Sequence, residues 1–345
     1  MSPGAQATEP PPRPAPRMAW SGRHALAVLP DGGVLLDIES GGLYELNESG
    51  CAIWESLIRQ GTREEAAREL AALFEITPEQ AERDVASAVA LAQAPSRQEG
   101  FSPLWFHRAG DRHYEIAYQS GPVLTIDLDF ETVRAVSRAL SVTQLAQAFR
   151  LVAAKVLACD AMVLHASAVR LRGQLRAFAG ISGAGKTTTA RAFADAGCEV
   201  VSEDLVVLGP AGDEIGVRTG AERVIRRWAT EAAWAVSARP DQVVDCASLR
   251  EVLPPVDDRL ARVTFLSAGR RAGDRLVERS MGMAWTAAAA LQNSFLSVHD
   301  PETWRQRLEE AARLACVVRG HRGITPEGVS RLADAVRLYT SNSTS

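Results

Sequence analysis

Short apolar runs separated by glycine turns open the patterned part of the chain and predict three strands. Apolar positions at helical spacing then predict three helices, which begin near Ser49, at Thr62 and at Thr77. Thr62 and Glu65 form the pattern of a capping box, and Pro78 follows Thr77 as a helix-starting residue. Together these elements predict a small α+β, winged-helix-like module. The predicted strands are Ala25–Leu29, Val34–Asp37 and Leu43–Leu46.

Beyond residue 98 the chain alternates strand and helix patterns, which predicts an α/β domain. The clearest unit is an apolar strand over Leu175–Ala179, a glycine-rich loop, and a helix over Thr187–Ala196 that Gly197 ends. The expected organisation is a proline-rich disordered tail at 1–23, the module at 24–97 and a catalytic domain at 98–345. A polar stretch with two prolines at 94–103 reads as the linker.

Charge and cysteine content exclude several classes of function. The 345 residues carry a net charge of −4, so the protein has no overall positive charge that would favour binding to nucleic acid or to an anionic membrane. The segment Glu48–Ala94 holds nine acids against four arginines, which argues against a DNA-binding winged helix. Five scattered cysteines indicate free thiols in the cytoplasm. No signal peptide is evident, and the apolar stretch Leu151–Val169 is interrupted by Lys155, Asp160 and His165, so no membrane span is expected.

The segment 180–187 reads Gly-Ile-Ser-Gly-Ala-Gly-Lys-Thr. It fits the phosphate-binding loop pattern, in which glycines let backbone N–H groups converge on phosphate oxygens. Lys186 is expected to reach the β- and γ-phosphates of ATP, and the Thr187 hydroxyl to bind Mg²⁺. The strand before the loop and the helix after it are the context that the pattern requires. The predicted nucleotide-binding residues are Gly180, Ser182, Gly183, Ala184, Gly185, Lys186, Thr187 and Thr188.

Two adjacent acids, Glu203 and Asp204, interrupt the next run of β-forming residues. A nucleotide site needs an acid near the loop to hold Mg²⁺, and a kinase needs a group that takes the acceptor's proton. A solvent-exposed charge pair at a strand end would give the same pattern. His165 lies in an apolar run one strand before the loop strand, and by itself it is either a core residue or a functional one.

The order Leu164-His165-Ala166-Ser167-Ala168, the glycine-rich loop, and Val201-Ser202-Glu203-Asp204 resembles the HPr kinase/phosphorylase family and its kinase relatives. The resemblance is strong over 163–208. It implies the fold of phosphoenolpyruvate carboxykinases, a requirement for ATP and Mg²⁺, and phosphorylation of a serine. By position, His165 corresponds to the histidine that assists proton transfer, Glu203 to the proposed proton acceptor and Asp204 to the acid near the metal.

Two features depart from that family. The first acid of that family is usually aspartate, whereas this chain has Glu203. The glycine-rich signature with which the family binds HPr and catalyses phosphorolysis is missing here. HPr is therefore not the expected substrate. Arg226-Arg227-Trp228 resembles an arginine–tryptophan segment of the shorter kinase relatives, for which phosphate contact and a structural role both stay open.

The N-terminal module resembles PqqD-like proteins, the peptide-recognition elements of pathways that modify ribosomally made peptides. The matching features are Val34-Leu-Leu-Asp, Gly42-Leu-Tyr-Glu-Leu-Asn47, Trp54 and the helix that begins at Thr62. The resemblance implies that a precursor's leader segment binds as an added strand. We expect it beside Gly42–Leu46, with its apolar side chains against the stripe of the helix Thr77–Gln93. A purely structural module is the alternative.

These features predict an ATP- and Mg²⁺-dependent kinase that transfers the γ-phosphoryl group to a hydroxyl, expected to be a serine, of a precursor peptide. Lys186, His165, Glu203 and Asp204 are the expected catalytic residues, and Thr187 and Asp204 the metal ligands. Two alternatives remain: a regulator that binds ATP and peptide without catalysis, and a small-molecule kinase of the carboxykinase type. The peptide, the modified residue and the choice between ATP and GTP stay open, and the sequence is compatible with a homo-oligomer.

Overall fold

The computed structural model describes residues 15–39, 42–93, 105–110, 113–118, 121–127, 132–135, 140–181, 183–239, 242–267, 276–295, 301–326 and 329–342. Within these residues the strands are β1 (Arg17–Trp20), β2 (His24–Leu29), β3 (Gly32–Asp37), β4 (Gly42–Leu46), β5 (Trp105–Gly110), β6 (His113–Tyr118), β7 (Gly121–Asp127), β8 (Thr132–Ala135), β9 (Val163–Leu171), β10 (Gln174–Ala179), β11 (Glu199–Ser202), β12 (Leu205–Ala211), β13 (Glu214–Val217), β14 (Val243–Asp245), β15 (Asp258–Ser267), β16 (Val277–Ser280) and β17 (Arg319–Ile324). The helices are α1 (Glu48–Gln60), α2 (Arg63–Phe74), α3 (Pro78–Gln93), α4 (Val142–Leu157), α5 (Lys186–Asp195), α6 (Ala221–Ala238), α7 (Ala247–Glu251), α8 (Met283–Gln292), α9 (Pro301–Val317) and α10 (Val329–Asn342).

The first sheet is antiparallel, with the order β1-β2-β3-β4. Three of its strands match the sequence prediction within a few residues, but β1 falls in the segment expected to be a disordered tail. That expectation is wrong for 17–20, because Met18 and Ala19 pack on hydrophobic clusters that hold opposite-facing residues of β2. Residues 1–14 of the predicted tail lie outside the described residues.

Side-chain caps set the starts of the helices that follow this sheet. The Asn47 side chain accepts a hydrogen bond from Gly50 N at the start of α1, and Thr62 accepts one from Glu65 N at the start of α2. Both groups occupy backbone donors that a helix end leaves unpaired. The predicted stripe of α3 is buried against α1 and α2 through Ala81, Val85 and other residues. It is therefore not available to a leader peptide, which corrects the expected docking surface.

The two faces of the first sheet pack against different parts of the chain. Leu26 and Leu35 lie in a cluster with Trp54 of α1. Ala25 and Leu36, on the other face, belong to a larger cluster with α8 and α9, which lie beyond the predicted boundary at residue 98. The N-terminal module and the remainder of the chain therefore share one hydrophobic core.

The second sheet has the order β10-β9-β12-β13-β15-β17-β16, and β11 pairs with β9. β10 also pairs with β15 in parallel, so that β10, β9, β12, β13 and β15 follow one another around a closed ring. β15 and β17 form a second parallel pair. Helices α5 and α10 pack together through Phe193, Leu332 and Val336. The predicted α/β class is confirmed as a mixed α/β arrangement.

A third, antiparallel sheet has the order β14-β8-β7-β6-β5. Its buried residues Ile116, Leu124 and Val133 share a cluster with Phe149 of α4 and Ala233 of α6. This packing fixes α4 and α6 beside each other, and both helices supply side chains to the site described below. No helix in the described ranges is long and apolar enough to span a bilayer.

Candidate active site

The glycine-rich loop connects β10 to α5. Gly183 and Gly185 have φ values of +82° and +90°, a left-handed conformation that favours glycine. Gly180 is required for a different reason: a Cβ there would lie 2.9 Å from Ala184 Cβ and 2.9 Å from the Leu266 carbonyl oxygen. Ser182, a predicted binding residue, lies outside the described residues.

Helix α5 begins at Lys186, and its N-cap, Gly185, makes no side-chain capping hydrogen bond. The first turn, which includes the half-buried Thr187 and Thr188, therefore presents backbone donors that no side chain caps. Such a helix terminus favours an anion.

The amine of Lys186 closes the loop on itself. Its Nζ atom donates to the carbonyl oxygens of Gly180 and Ile181, at 2.8 and 3.1 Å. The side chain is only 6% exposed. Burial lowers the pKa of Lys186, and the nearby charge of Asp204 opposes that shift. The loop, the amine and the acid thus lie within electrostatic reach of one another.

Pairing of β9 with β12 brings His165 and Asp204 together. His165 is opposite Leu205, and Ala166 N donates to the Asp204 carbonyl oxygen. The His165 Nε2 atom lies 3.1 Å from Asp204 Oδ1, and Arg150 Nη2 donates to Asp204 Oδ2 at 2.9 Å. The hydrogen bond with His165 holds the pKa of Asp204 below its ordinary value, and the charges of His165, Arg150 and Lys186 add to this, while burial opposes it. Asp204 is thereby kept ionised.

The adjacent acid, Glu203, has a different environment. Its side chain is 45% exposed, and its Oε2 atom lies 3.2 Å from Arg226 Nη2. Its carbonyl oxygen accepts a hydrogen bond from Ser167 Oγ, and its backbone N donates to Glu222. The structure therefore gives the two neighbouring acids different partners: Asp204 contacts His165 and Arg150, and Glu203 contacts Arg226.

Glu222, near the start of α6, is a residue that the sequence interpretation missed. It is 6% exposed, and its Oε2 atom accepts from Ser202 Oγ and from the backbone N of Glu203, at 2.8 and 2.6 Å. The Oε1 atom pairs with Arg226 at 2.8 Å and with Arg150 at 3.4 Å. Glu222 thus holds the turn that carries both acids. The four-residue spacing of Glu222 and Arg226 was the signal that could have found it.

Arg150 was also missed, although a single arginine beside Phe149 and Val152 in an otherwise apolar stretch of α4 stands out. Of the two arginines left open, Arg226 reaches Glu222 and Glu203 and so belongs to the site. Arg227 instead pairs with Glu231 on the exposed side of α6. A cleft of about 490 Å³ lies between β11 and the first turns of α6, with Glu203 and Arg226 in its wall.

Residues 32–94 match the protein family described as "Coenzyme PQQ synthesis protein D (PqqD)". This segment is PqqD-like. The resemblance predicted for the N-terminal module is thereby confirmed over most of its length. No curated protein matches the chain.

Among solved structures, the chain is similar to the Hpr(Ser) kinase/phosphatase from Coxiella burnetii. The match has 10% sequence identity and a TM-score of 0.25, and covers 53% of this chain and 99% of that chain. A TM-score of this size leaves the chemistry to be argued from the residues of the site.

Within the PqqD-like segment, β4 is the edge strand of its sheet and pairs only with β3 among the described strands. Its outer edge therefore carries backbone groups that another strand could use. Tyr44 is half-buried and Glu45 is exposed along this edge. The segment thus keeps the strand expected to receive a peptide, while the expected helix stripe is covered.

Proposed function

We propose that this protein is an ATP-dependent kinase that transfers the γ-phosphoryl group to a hydroxyl of a ribosomally synthesised precursor peptide, expected to be that of a serine. The observation that carries the proposal is geometric: His165 and Arg150 hold Asp204 at 3.1 and 2.9 Å, and Lys186 is held within the glycine-rich loop by the carbonyl oxygens of Gly180 and Ile181. Phosphoryl transfer uses a phosphate-binding loop with its lysine, an acid that helps to hold Mg²⁺ and a group that accepts the proton of the hydroxyl.

The loop fits the phosphates of a nucleotide. Two glycines of the loop have left-handed backbone conformations, and the N-cap of α5 makes no side-chain hydrogen bond. The backbone donors at this end of α5 are therefore suited to an anion, which the helix dipole also attracts. Lys186 needs only to exchange its carbonyl acceptors for phosphate oxygens. The buried Thr189 hydroxyl, which has no hydrogen-bond partner, lies on the same helix. Gly180, Ala184 and Thr188 lie in the same loop and helix, and we propose that they also bind the nucleotide.

Thr187 and Asp204 are the residues that would hold Mg²⁺. Within the described ranges, no group of three or more His, Cys, Asp or Glu residues is placed to hold a metal ion. Two oxygen ligands fit Mg²⁺ in a kinase, because this ion usually takes one or two protein ligands and completes its shell with substrate phosphates and water. The low pKa of Asp204 keeps its carboxylate charged for that role. When bound, Mg²⁺ neutralises charge on the phosphate oxygens.

Glu203 is the proposed acceptor of the hydroxyl proton, assisted by His165. In the reaction the serine O–H bond breaks, a bond forms between serine oxygen and γ-phosphorus, and ADP leaves. Glu203 borders the cleft beside α6, and its contact with the half-exposed Arg226 is weak enough for the carboxylate to meet a substrate. The lowered pKa of Asp204, which its hydrogen bond with His165 causes, makes this acid a weak base.

The PqqD-like segment would hold the leader of the peptide against β4, the edge strand of its sheet, by backbone hydrogen bonds. A kinase site gains little affinity from one serine side chain. A docked leader raises the local concentration of the acceptor to around the millimolar range. The proposed partner is therefore a precursor peptide.

The proposal is tested with full-length protein, Mg²⁺ and ATP that carries a labelled γ-phosphate, together with serine-containing peptides encoded beside the gene. Label should appear on a peptide serine, and Lys186→Met should abolish transfer. Arg191→Ala, which removes an exposed positive charge from the same helix, is the matched control and should leave transfer unchanged. ATP binding without any transfer would overturn the kinase proposal in favour of a regulator.

A further inference from the structure

The N-terminal module caps a helix of the catalytic region. Asp31 lies in the turn between β2 and β3. Its Oδ2 atom accepts a hydrogen bond from Met283 N at 2.5 Å, and its Oδ1 atom accepts one from Ala284 N at 3.0 Å. These are the first two backbone donors of α8, whose own N-cap, Gly282, has no side chain to offer. A carboxylate at this position also interacts favourably with the helix dipole.

The contact between Asp31 and α8 is closely fitted. A Cβ atom added at Gly282 would collide with Asp31 Oδ2. Helix α8 then runs along the face of the first sheet, in the core that includes Ala284, Leu291 and Leu36. Since most of its ten residues are buried or half-buried, the helix has little freedom to move independently of that sheet.

The far end of α8 holds the strand that carries His165. Asn293, the C-cap, accepts a hydrogen bond from His165 N at 2.8 Å through its carbonyl oxygen. Phe295 N donates to the Val163 carbonyl oxygen at 2.8 Å, and the Phe295 ring centre lies 5.5 Å from that of His165. The backbone and the ring of His165 are thus both in contact with residues that follow α8 directly.

We propose that Asp31 is a positioning residue: through α8, it holds His165 in place beside Asp204. The helix spans about 15 Å and links the β2–β3 turn of the N-terminal module to the His165 backbone. The role of Asp31 in catalysis rests on the proposed function. The chain of contacts from Asp31 through α8 to His165 does not. β3 and β4 also pack against α8, so a peptide on the edge of β4 would lie next to the same helix.

Backbone hydrogen exchange in the full chain tests the link without any assay of activity. Asp31→Ala and Gly282→Ala should both speed exchange of the Thr286, His165 and Phe295 amides by about fivefold, the factor that corresponds to the loss of one helix N-cap. Gly282→Ala keeps the carboxylate and only displaces it, and its backbone angles suit alanine. If Asp31→Ala fails to fold, Gly282→Ala alone decides the matter.

Two further variants separate positioning from general loosening. Asp31→Asn keeps one acceptor oxygen for the two backbone N–H groups, so its exchange should lie between that of Asp31→Ala and that of the natural protein. Thr62→Ala removes the cap of α2 in the same module; it should speed exchange within α2 and leave His165 and Phe295 unchanged. Loss of protection confined to the first turn of α8 in Asp31→Ala and Gly282→Ala would overturn the proposal.

Kinetic measurements on the same variants distinguish the positioning role of Asp31 from the proposed kinase activity. With ATP as the probe, Asp31→Ala and Gly282→Ala should lower the kcat of phosphoryl transfer or ATP hydrolysis about tenfold with little change in the KM for ATP. Asp31→Asn, which keeps one acceptor oxygen, should lower kcat less than Asp31→Ala does. If the natural protein shows no turnover at all, the kinase proposal fails while the exchange result still decides the link. Normal kcat in both cap variants would remove the positioning role.

Discussion

The Nε2 atom of His165 lies 3.1 Å from Oδ1 of Asp204, although the two residues are 39 positions apart in the sequence. Pairing of β9 with β12 makes this contact possible, whereas the neighbouring Glu203 contacts Arg226 at 3.2 Å. A histidine oriented by a carboxylate is a common device for moving protons. The roles of these three residues can therefore be separated by substitution.

Glu203→Gln should keep affinity for Mg²⁺ and ATP and lower kcat by roughly 10² to 10⁴, because the proton acceptor is lost. Asp204→Asn should instead raise the Mg²⁺ concentration needed for half-maximal rate. Steady-state kinetics across a Mg²⁺ series measure both effects. If the two variants show the opposite pattern, the roles of the acids are exchanged. If His165→Ala leaves the kinetics unchanged, the role of His165 is structural.

Glu222→Gln should weaken both folding and activity. The substitution removes charge from a buried group that two arginines and the turn at 202–204 contact, and it should cost about 1–3 kcal/mol of unfolding free energy. Glu231→Gln is the matched control on the same helix, because its partner Arg227 is 82% exposed and Glu231 itself is 64% exposed. This control should change stability by less than about 0.5 kcal/mol. Denaturant titration compares the two variants, and equal losses would contradict the assigned role.

Deleting residues 1–97 should not leave an intact catalytic region. The deletion would expose the apolar residues of α8 and α9 that the first sheet covers, and would also remove the Asp31 cap. We expect a lower Tm and self-association of the shortened chain, since large exposed apolar patches favour aggregation. Thermal unfolding and size-exclusion chromatography measure both. A monomeric 98–345 chain with the full-length Tm would show that the two parts fold independently.

Stability should fall in acid partly through Asp204. The pKa of its carboxyl is lower in the folded protein than the ordinary value of about 3.9, so ionisation stabilises the fold at pH values above that figure. The contribution is lost as pH falls through the folded-state pKa. The pKa values of Glu278 and Asp257 are lowered too. The difference in unfolding free energy between the natural protein and Asp204→Asn isolates Asp204, and it should shrink below about pH 4. A constant difference would contradict this.

Local patterns in the sequence predicted the elements that local interactions govern. Strands β2 to β4 were predicted from short apolar runs between glycine turns, and the start of α2 from its capping residue Thr62. The glycine-rich loop was predicted too, because positive φ values and a crowded Cβ position restrict its composition. In contrast, β1 was missed, since four residues next to a proline-rich stretch carry too little pattern.

Helix α8 is not predicted from the sequence either. Its ten residues are dominated by alanine, so it shows no strong polar face. Its importance comes from what it contacts at its two ends. Neither Asp31 nor Asn293 carries a local signal of that role.

The sequence by itself predicted which residues of the loop and the acidic pair are candidates to bind a nucleotide and a metal, because these residue types at this spacing restrict local geometry. Only the tertiary structure decided that Arg150 and Glu222 complete the surroundings of Asp204 and that the PqqD-like segment shares a core with the remainder of the chain. Asp31 and Met283 meet across 252 positions. Contacts of that kind depend on how sheets and helices dock, and no local periodicity of the chain encodes them.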